Sequence, residues 1–207
     1  LGVDLPIGLE GEIGLSATVV ETPAGRTADI ALDLTPTAID VPQLNWHKTA
    51  SVPGALNASA NIPADGPLQV TAFTLMSDGL SAEGSLEAQL EPFRLAQLHV
   101  DRVRFGDTRA AVVLRPADPS GYDVWIEADT LDLAPWLDRE EPEGGRGGAS
   151  LDASWRIDLQ AQRLLVRGAA FTAVDADLVR GPDGWHSADM RGRQPGGGEF
   201  ALTLTPE

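Results

Sequence analysis

The sequence predicts an all-β fold: about a dozen antiparallel strands in a strongly curved, groove-forming sheet with an apolar inner face. Three observations predict it. Apolar and polar residues alternate over long runs, such as Leu56, Ala58, Ala60, Ile62 against Asn57, Ser59, Asn61. Side chains on a strand point to opposite faces in turn, so each run is a ribbon with one greasy and one wet side. The 22 Gly and 15 Pro punctuate these runs, as many short strands joined by turns require. No amphipathic helix of useful length interrupts them, so no helical layer is available to cover the greasy side. A second sheet could cover it, and alternation alone favours that closed β-sandwich slightly; the groove rests on the small-residue lining and the resemblance described below.

The elements follow in order. Leu9 to Glu21 alternates through Ile13, Leu15, Ala17 and Val19, and Thr22-Pro23-Ala24-Gly25 turns the chain into Ala28, Ile30, Leu32 and Leu34. Pro36 to Pro53 is irregular, because Pro36, Pro42 and Pro53 interrupt sheet pairing; with Ile39, Val41, Leu44 and Trp46 it reads as a packed connection over one end of the sheet. The pattern is cleanest from Gly54 to Pro116, where Leu80, Ala82, Gly84, Leu86, Ala88 and Leu90 form one phase and Asp78-Gly79 a tight hairpin. Leu98 and Val100 lie on one phase and Val103 and Phe105 on the other, so a bulge is expected near Asp101-Arg102. Ala110, Val112, Leu114 and then Tyr122, Val124, Ile126, Ala128 continue the series, and Leu131 to Leu137 reads as one helical turn. After the charged, glycine-rich stretch DREEPEGGRGG come Leu151, Ala153, Trp155, Ile157, Leu159, then Val174, Ala176, Leu178, then Phe200, Leu202, Leu204.

This organisation divides the chain into a curved sheet segment at 1–138, a flexible acidic loop at 139–148 and a continuation of the same sheet at 149–207, one domain overall. The chain opens on Leu1 rather than Met and reads as a fragment of a larger protein. No apolar stretch approaches the ~20 residues of a membrane span, so this segment is not expected to cross a membrane.

Composition removes several functions. A net charge of −16 opposes nucleic acid, whose phosphates need clustered Lys and Arg. With no Cys there is no disulfide framework, thiol nucleophile or thiolate zinc site. His47, His99 and His186 each lack a second His at ligand spacing, and Asp175, Asp177 and Asp183-Gly184 miss the spacing of a calcium loop. The carboxylates sit singly on polar phases. No catalytic residue, metal or cofactor is therefore assigned, and the chain is not expected to be an enzyme; a hydrolase on a β-scaffold survives only because scattered acids can converge in space.

The greasy face becomes the candidate site. Its phase is rich in small residues (Ala58, Ala60, Ala82, Gly84, Ala88, Ala153), which leave room where a closed core wants bulk. An eight-residue strand spans about 26 Å, comparable with an extended acyl tail. A sixteen-carbon tail gains roughly 13 kcal/mol on leaving water, at ~0.8 kcal/mol per methylene. Spread along a continuous lining, that gain changes little as a lipid slides. The expected lining is Leu56, Ala58, Ala60, Ile62, Leu80, Ala82, Leu86, Leu90, Val112, Leu114, Val124, Ile126, Leu151, Trp155 and Ile157.

Three phrases also resemble a known family. Val41-Pro42-Gln43-Leu44-Asn45-Trp46-His47-Lys48 with Val52-Pro53-Gly54-Ala55-Leu56, then Gly79-Leu80-Ser81-Ala82-Glu83-Gly84, then Ala128-Asp129-Thr130-Leu131-Asp132-Leu133-Ala134-Pro135-Trp136-Leu137-Asp138, resemble the AsmA-like proteins, especially the YhdP-type branch. The resemblance covers mainly residues 36–138. It implies a periplasmic segment of an inner-membrane-anchored protein, whose long hydrophobic β-groove conducts phospholipid between inner and outer membranes. It also implies neighbouring segments of the parent chain and envelope proteins as partners, and no catalytic residues. The alternative from the residues alone is a structural or adhesive β-sandwich module with no lipid groove.

Overall fold

The computed structural model describes residues 8–41, 45–117, 121–137 and 153–205, and almost all of them are strand. The chain divides into two compact units, Leu1–Phe105 and Gly106–Glu207. The acidic stretch 139–148 and Leu151 lie outside the described residues.

Unit 1 contains β1 (Gly8–Gly11), β2 (Gly14–Thr22), β3 (Gly25–Asp33), β4 (Thr37–Val41), β5 (Trp46–Lys48), β6 (Gly54–Pro63), β7 (Leu68–Ser77), β8 (Leu80–Leu90) and β9 (Phe93–Phe105). Six of these make an antiparallel array in the order β2-β3-β6-β7-β8-β9, and a small antiparallel sheet runs β1-β4-β5. The turns fall where the sequence places them, at Pro23-Ala24, after Pro63 and at Asp78-Gly79. Thr22 Oγ1 closes the first by donating to the Gly25 carbonyl at 3.0 Å.

Bulges keep the greasy phase continuous. On β9 the register passes from Gly84↔Val100 to Glu83↔Arg102, leaving Asp101 as the extra residue where the phase change predicts one. A second extra residue, Ala96, separates Glu87↔Gln97 from Ala88↔Leu95. On β7, Thr71 and Ala72 together face Ser85, so Leu68 and Val70 share a face with Phe73 and Leu75. Gly84 is required at this site, since a Cβ there would run into the His99 carbonyl oxygen of the bulged strand.

Unit 2 contains β10 (Thr108–Ala117), β11 (Gly121–Asp132), α1 (Ala134–Leu137), β12 (Ser154–Val166), β13 (Ala169–Gly181), β14 (Gly184–Arg193) and β15 (Glu199–Leu204), with its strands in the order β10-β11-β12-β13-β14-β15. All pairings are antiparallel except β11 with β12, which is parallel. A parallel pair needs a crossover of a dozen or more residues, and residues 133–153 make it. The expected helical turn is α1. The Asp132 carboxylate accepts the Ala134 N–H at 2.9 Å, and Leu133 N–H donates to Leu165 O at 2.9 Å, tying the turn to β12.

The fold is thus all-β and mostly antiparallel, and it is open: β2 and β15 have one sheet neighbour each. Within each unit the strands pack chiefly on their sheet neighbours.

Candidate functional site: apolar faces of the two sheets

Register turns the separate ribbons into cross-strand rows. In unit 1 one row reads Leu15, Leu32, Leu56, Leu75, Ala82, Val103 from β2 to β9. The next reads Ala17, Ile30, Ala58, Phe73, Gly84, Val100, and a third reads Val19, Ala28, Ala60, Val70, Leu86, Leu98. Six strands at about 4.8 Å carry each row across some 24 Å. In unit 2 the rows are Leu114, Val124, Ile157, Leu178, Ala188, Leu204 and Val112, Ile126, Leu159, Ala176, Met190, Leu202.

Of the expected lining, Leu56, Ala58, Ala60, Ala82 and Leu86 come together in the unit 1 rows. Ile62, opposite Arg26, and Leu90, opposite Phe93, lie at their far end. Leu80 is buried in the cluster that closes the near end. Val112, Leu114, Val124, Ile126 and Ile157 belong to the unit 2 rows, with Trp155 at their border beside Tyr122. The expected lining leaves out β2, β3, β7, β9, β13, β14 and β15, which also contribute to the rows. Ala28, Ile30 and Leu32 carry the same alternation as β6; β7 hides it behind its bulge.

These faces lack a complete second layer. Leu15 and Val19 of β2 are 69% and 58% exposed, and Leu202 and Leu204 of β15 are 57% and 46% exposed. All four lie on the edge strands, and the inner members of the rows are half-buried or buried, such as Ala60 and Val124. Toward the middle the small residues are covered by longer neighbours: Ala88, between Leu68 and Leu95, is fully buried. Side chains converging over an alanine are what a face curved toward its apolar side produces.

One end of the unit 1 face is capped, by the segment the sequence reading placed there. Ile39, Trp46 and Leu34 bury with Leu80, against Leu32, Leu56, Leu75, Val103 and Phe105. The Trp46 indole N–H donates to the Asp78 carbonyl at 3.2 Å, and the Thr37 hydroxyl to the Glu12 carbonyl at 2.5 Å. Lys48 locks the cap: its ammonium is buried and donates to the carbonyls of Thr37 (2.7 Å) and Leu34 (2.8 Å), with those of Thr49 (3.3 Å) and Thr35 (3.4 Å) further off. Gly54 leaves room for its stem, since a Cβ there would lie 2.8 Å from Lys48 Cε.

Asp33 sits beside this cage. Hydrogen bonds from the Thr35 side chain and from the Thr35 N–H (2.9 Å), with the nearby Lys48 charge, hold its carboxyl below the usual aspartate range against a small opposing effect of burial. A carboxyl with a lowered folded-state pKa stabilises the fold above its unfolded value, and that contribution disappears as pH falls through the folded value. Asp33→Asn is therefore expected to weaken the wild type's loss of stability on acidification, measured as urea midpoints from neutral pH into the carboxylate range. Equal acid slopes for the two proteins would contradict it.

The opposite faces are wet. They carry exposed pairs such as Arg102–Glu83 (2.7 Å), Arg191–Asp175 (3.4 Å) and Ser59–Asp29 (2.7 Å), worth little individually. Asp158, Asp177 and Asp189 stand opposite one another on successive strands, an arrangement only a solvated face tolerates. A cavity of about 1070 Å³ in unit 1, lined in part by Ser16, Ala31, Asn57 and Met76, lies toward this side of the sheet at the strand ends. Each histidine lies at the surface next to one aspartate: His47 with Asp40, His99 with Asp101 and His186 with Asp183. Among the described residues no group of three or more His, Asp or Glu is placed to hold a metal, and no helix is long and apolar enough to cross a membrane.

No family model matches this chain, and neither a curated protein nor a solved structure is significantly similar to it.

Proposed function

We propose that the apolar faces bind acyl chains, and that the chain is a segment of a periplasm-spanning protein, anchored at the inner membrane, whose hydrophobic β-groove conducts phospholipid between inner and outer membranes. The observation that carries the binding reading is that apolar rows continue across six strands in each unit and come out exposed at the edge strand, on Leu15 and Val19 in one and Leu202 and Leu204 in the other, with their inner members half-buried or buried. Monomeric proteins rarely leave contiguous apolar surface bare unless it binds something. Rows without a polar break suit a ligand that is held strongly yet slides, because each methylene exchanges one apolar neighbour for another. Placement in the envelope, the direction of movement and the partner segments rest on the resemblance of residues 36–138 to the AsmA-like proteins.

The test is to purify the chain, extract it with organic solvent and identify bound lipid by mass spectrometry against a mock purification. Stoichiometric phospholipid with mixed headgroups is the expected result. A lipid-free protein that also refuses a fluorescent fatty acid would overturn the reading in favour of a structural or adhesive β-module.

A further inference from the structure

At one end of the unit 2 face the rows change character. The register next to Leu114, Val124, Ile157, Leu178 holds Tyr122, Trp155, Arg180 and Trp185, each opposite the next on β11, β12, β13 and β14. All four point to the apolar side: Tyr122, Trp155 and Arg180 continue the phases of Val124, Ile157 and Leu178, and Trp185 stands opposite Arg180, with His186 the extra residue of a bulge. Tyr122 and Trp155 stack with ring centroids 4.9 Å apart at 33°. Trp185 is 51% exposed.

Two features of this band are unusual. Among the described residues the Trp155 Nε1–H is buried without a hydrogen-bond acceptor. An indole N–H kept from water in this way costs free energy that an incoming oxygen would recover. Arg180 is the one charged side chain in the apolar rows of unit 2, and among the described residues it makes no ion pair. The corresponding cation at the border of the unit 1 rows, Arg26, is already bound to Glu21 through Nε and Nη2 at 3.1 and 3.0 Å. In a chain of net charge −16, a guanidinium at the margin of an apolar surface with no ion pair among the described residues is a local exception.

We propose that this band holds the phosphate of a phospholipid whose tails lie on the adjoining apolar rows. The proposal rests on the acyl-binding reading and adds the headgroup chemistry. Arg180 supplies the charge and donors that match phosphate oxygens, and the Trp155 N–H an additional donor. Tyr122 and Trp185 present flat apolar bodies with polar tips, the composition suited to a boundary between tails and water. A diacylglycerol with the same tails offers Arg180 only neutral ester and hydroxyl oxygens, without the anionic oxygens of a phosphate.

The experiment compares a fluorescent phosphatidylglycerol with a fluorescent diacylglycerol of identical tails on the full chain. The wild type is expected to prefer the phospholipid by about tenfold, the scale of one charge-assisted contact. Arg180→Gln should reduce that preference to near unity, Trp155→Phe should reduce it about threefold, and Arg191→Gln, on the wet face, should retain it. Inorganic phosphate at millimolar concentration should not displace the phospholipid. An unchanged preference in Arg180→Gln would overturn the proposal while leaving acyl binding intact. Displacement by phosphate would overturn it in favour of a free-anion site. Failure of both lipids to bind would remove the acyl-binding reading and the headgroup site with it.

Discussion

Lys48→Met is expected to destabilise unit 1 by about 3–5 kcal/mol. The Lys48 ammonium makes two short hydrogen bonds, to the carbonyls of Thr37 and Leu34, in a site closed to water. Hydrogen bonds to charged groups contribute about 1.5–3 kcal/mol each, and removing the donor takes the charged partner from both carbonyls, leaving Leu34 O with the Thr37 N–H at 3.1 Å. Methionine fills much of the volume of the stem, so the loss isolates the polar term from a cavity. The Leu34–Thr37 turn and β5 then lose their common anchor. Hydrogen exchange should accelerate first at Ile39, Val41 and Lys48, with the urea midpoint lowered. A change under 1 kcal/mol would show that packing of Trp46 and Ile39 holds the cap without the cage.

Leu86→Asp should abolish acyl uptake, by more than tenfold, while the chain stays folded. Leu86 lies in the third unit 1 row between Val70 and Leu98, away from the cap, and is only partly buried. Its carboxylate can remain hydrated in the empty protein. A tail crossing the row would have to strip that water, a cost no hydrogen bond repays. Val174→Asp provides the contrast, because Val174 is 1% exposed and a carboxylate there has no route to solvent. The measurements are uptake of a fluorescent fatty acid and thermal unfolding of both variants. If Leu86→Asp unfolds as Val174→Asp does, that row is a filled core rather than a lining.

Much of this arrangement was legible in the residues, because a two-residue period fixes which side chains share a face whatever the strand order. Leu56, Ala58, Ala60 and Leu80 to Ala88 reveal their faces at once. The phase jump between Val100 and Val103 reveals the bulge at Asp101 as well. What alternation cannot give is register between distant strands. The Tyr122–Trp155–Arg180–Trp185 band exists only because β11, β12, β13 and β14 align as they do, and its members are scattered over 64 positions. The carbonyl cage of Lys48 was hidden for a related reason. It is built from backbone groups of a proline-interrupted turn, and a lone lysine after Trp46-His47 carries no sign of them. The parallel pairing of β11 with β12 was equally hidden, since each strand has the same alternation in either direction.

That parallel pair has a consequence for how unit 2 assembles. Gly121 aligns with Ser154, and every rung to Asp132↔Leu165 keeps the same offset of 33 residues, whereas the other pairs of the unit are strands separated by two to five residues. Closing a loop that long costs about 2 kcal/mol more entropy than closing a four-residue one. Hairpins β10–β11 and β12–β15 can each zip from their own turns before the seam between them forms. Unit 2 is therefore expected to assemble as two hairpin stacks joined late along a single seam, which brings Val124 against Ile157 and Ile126 against Leu159.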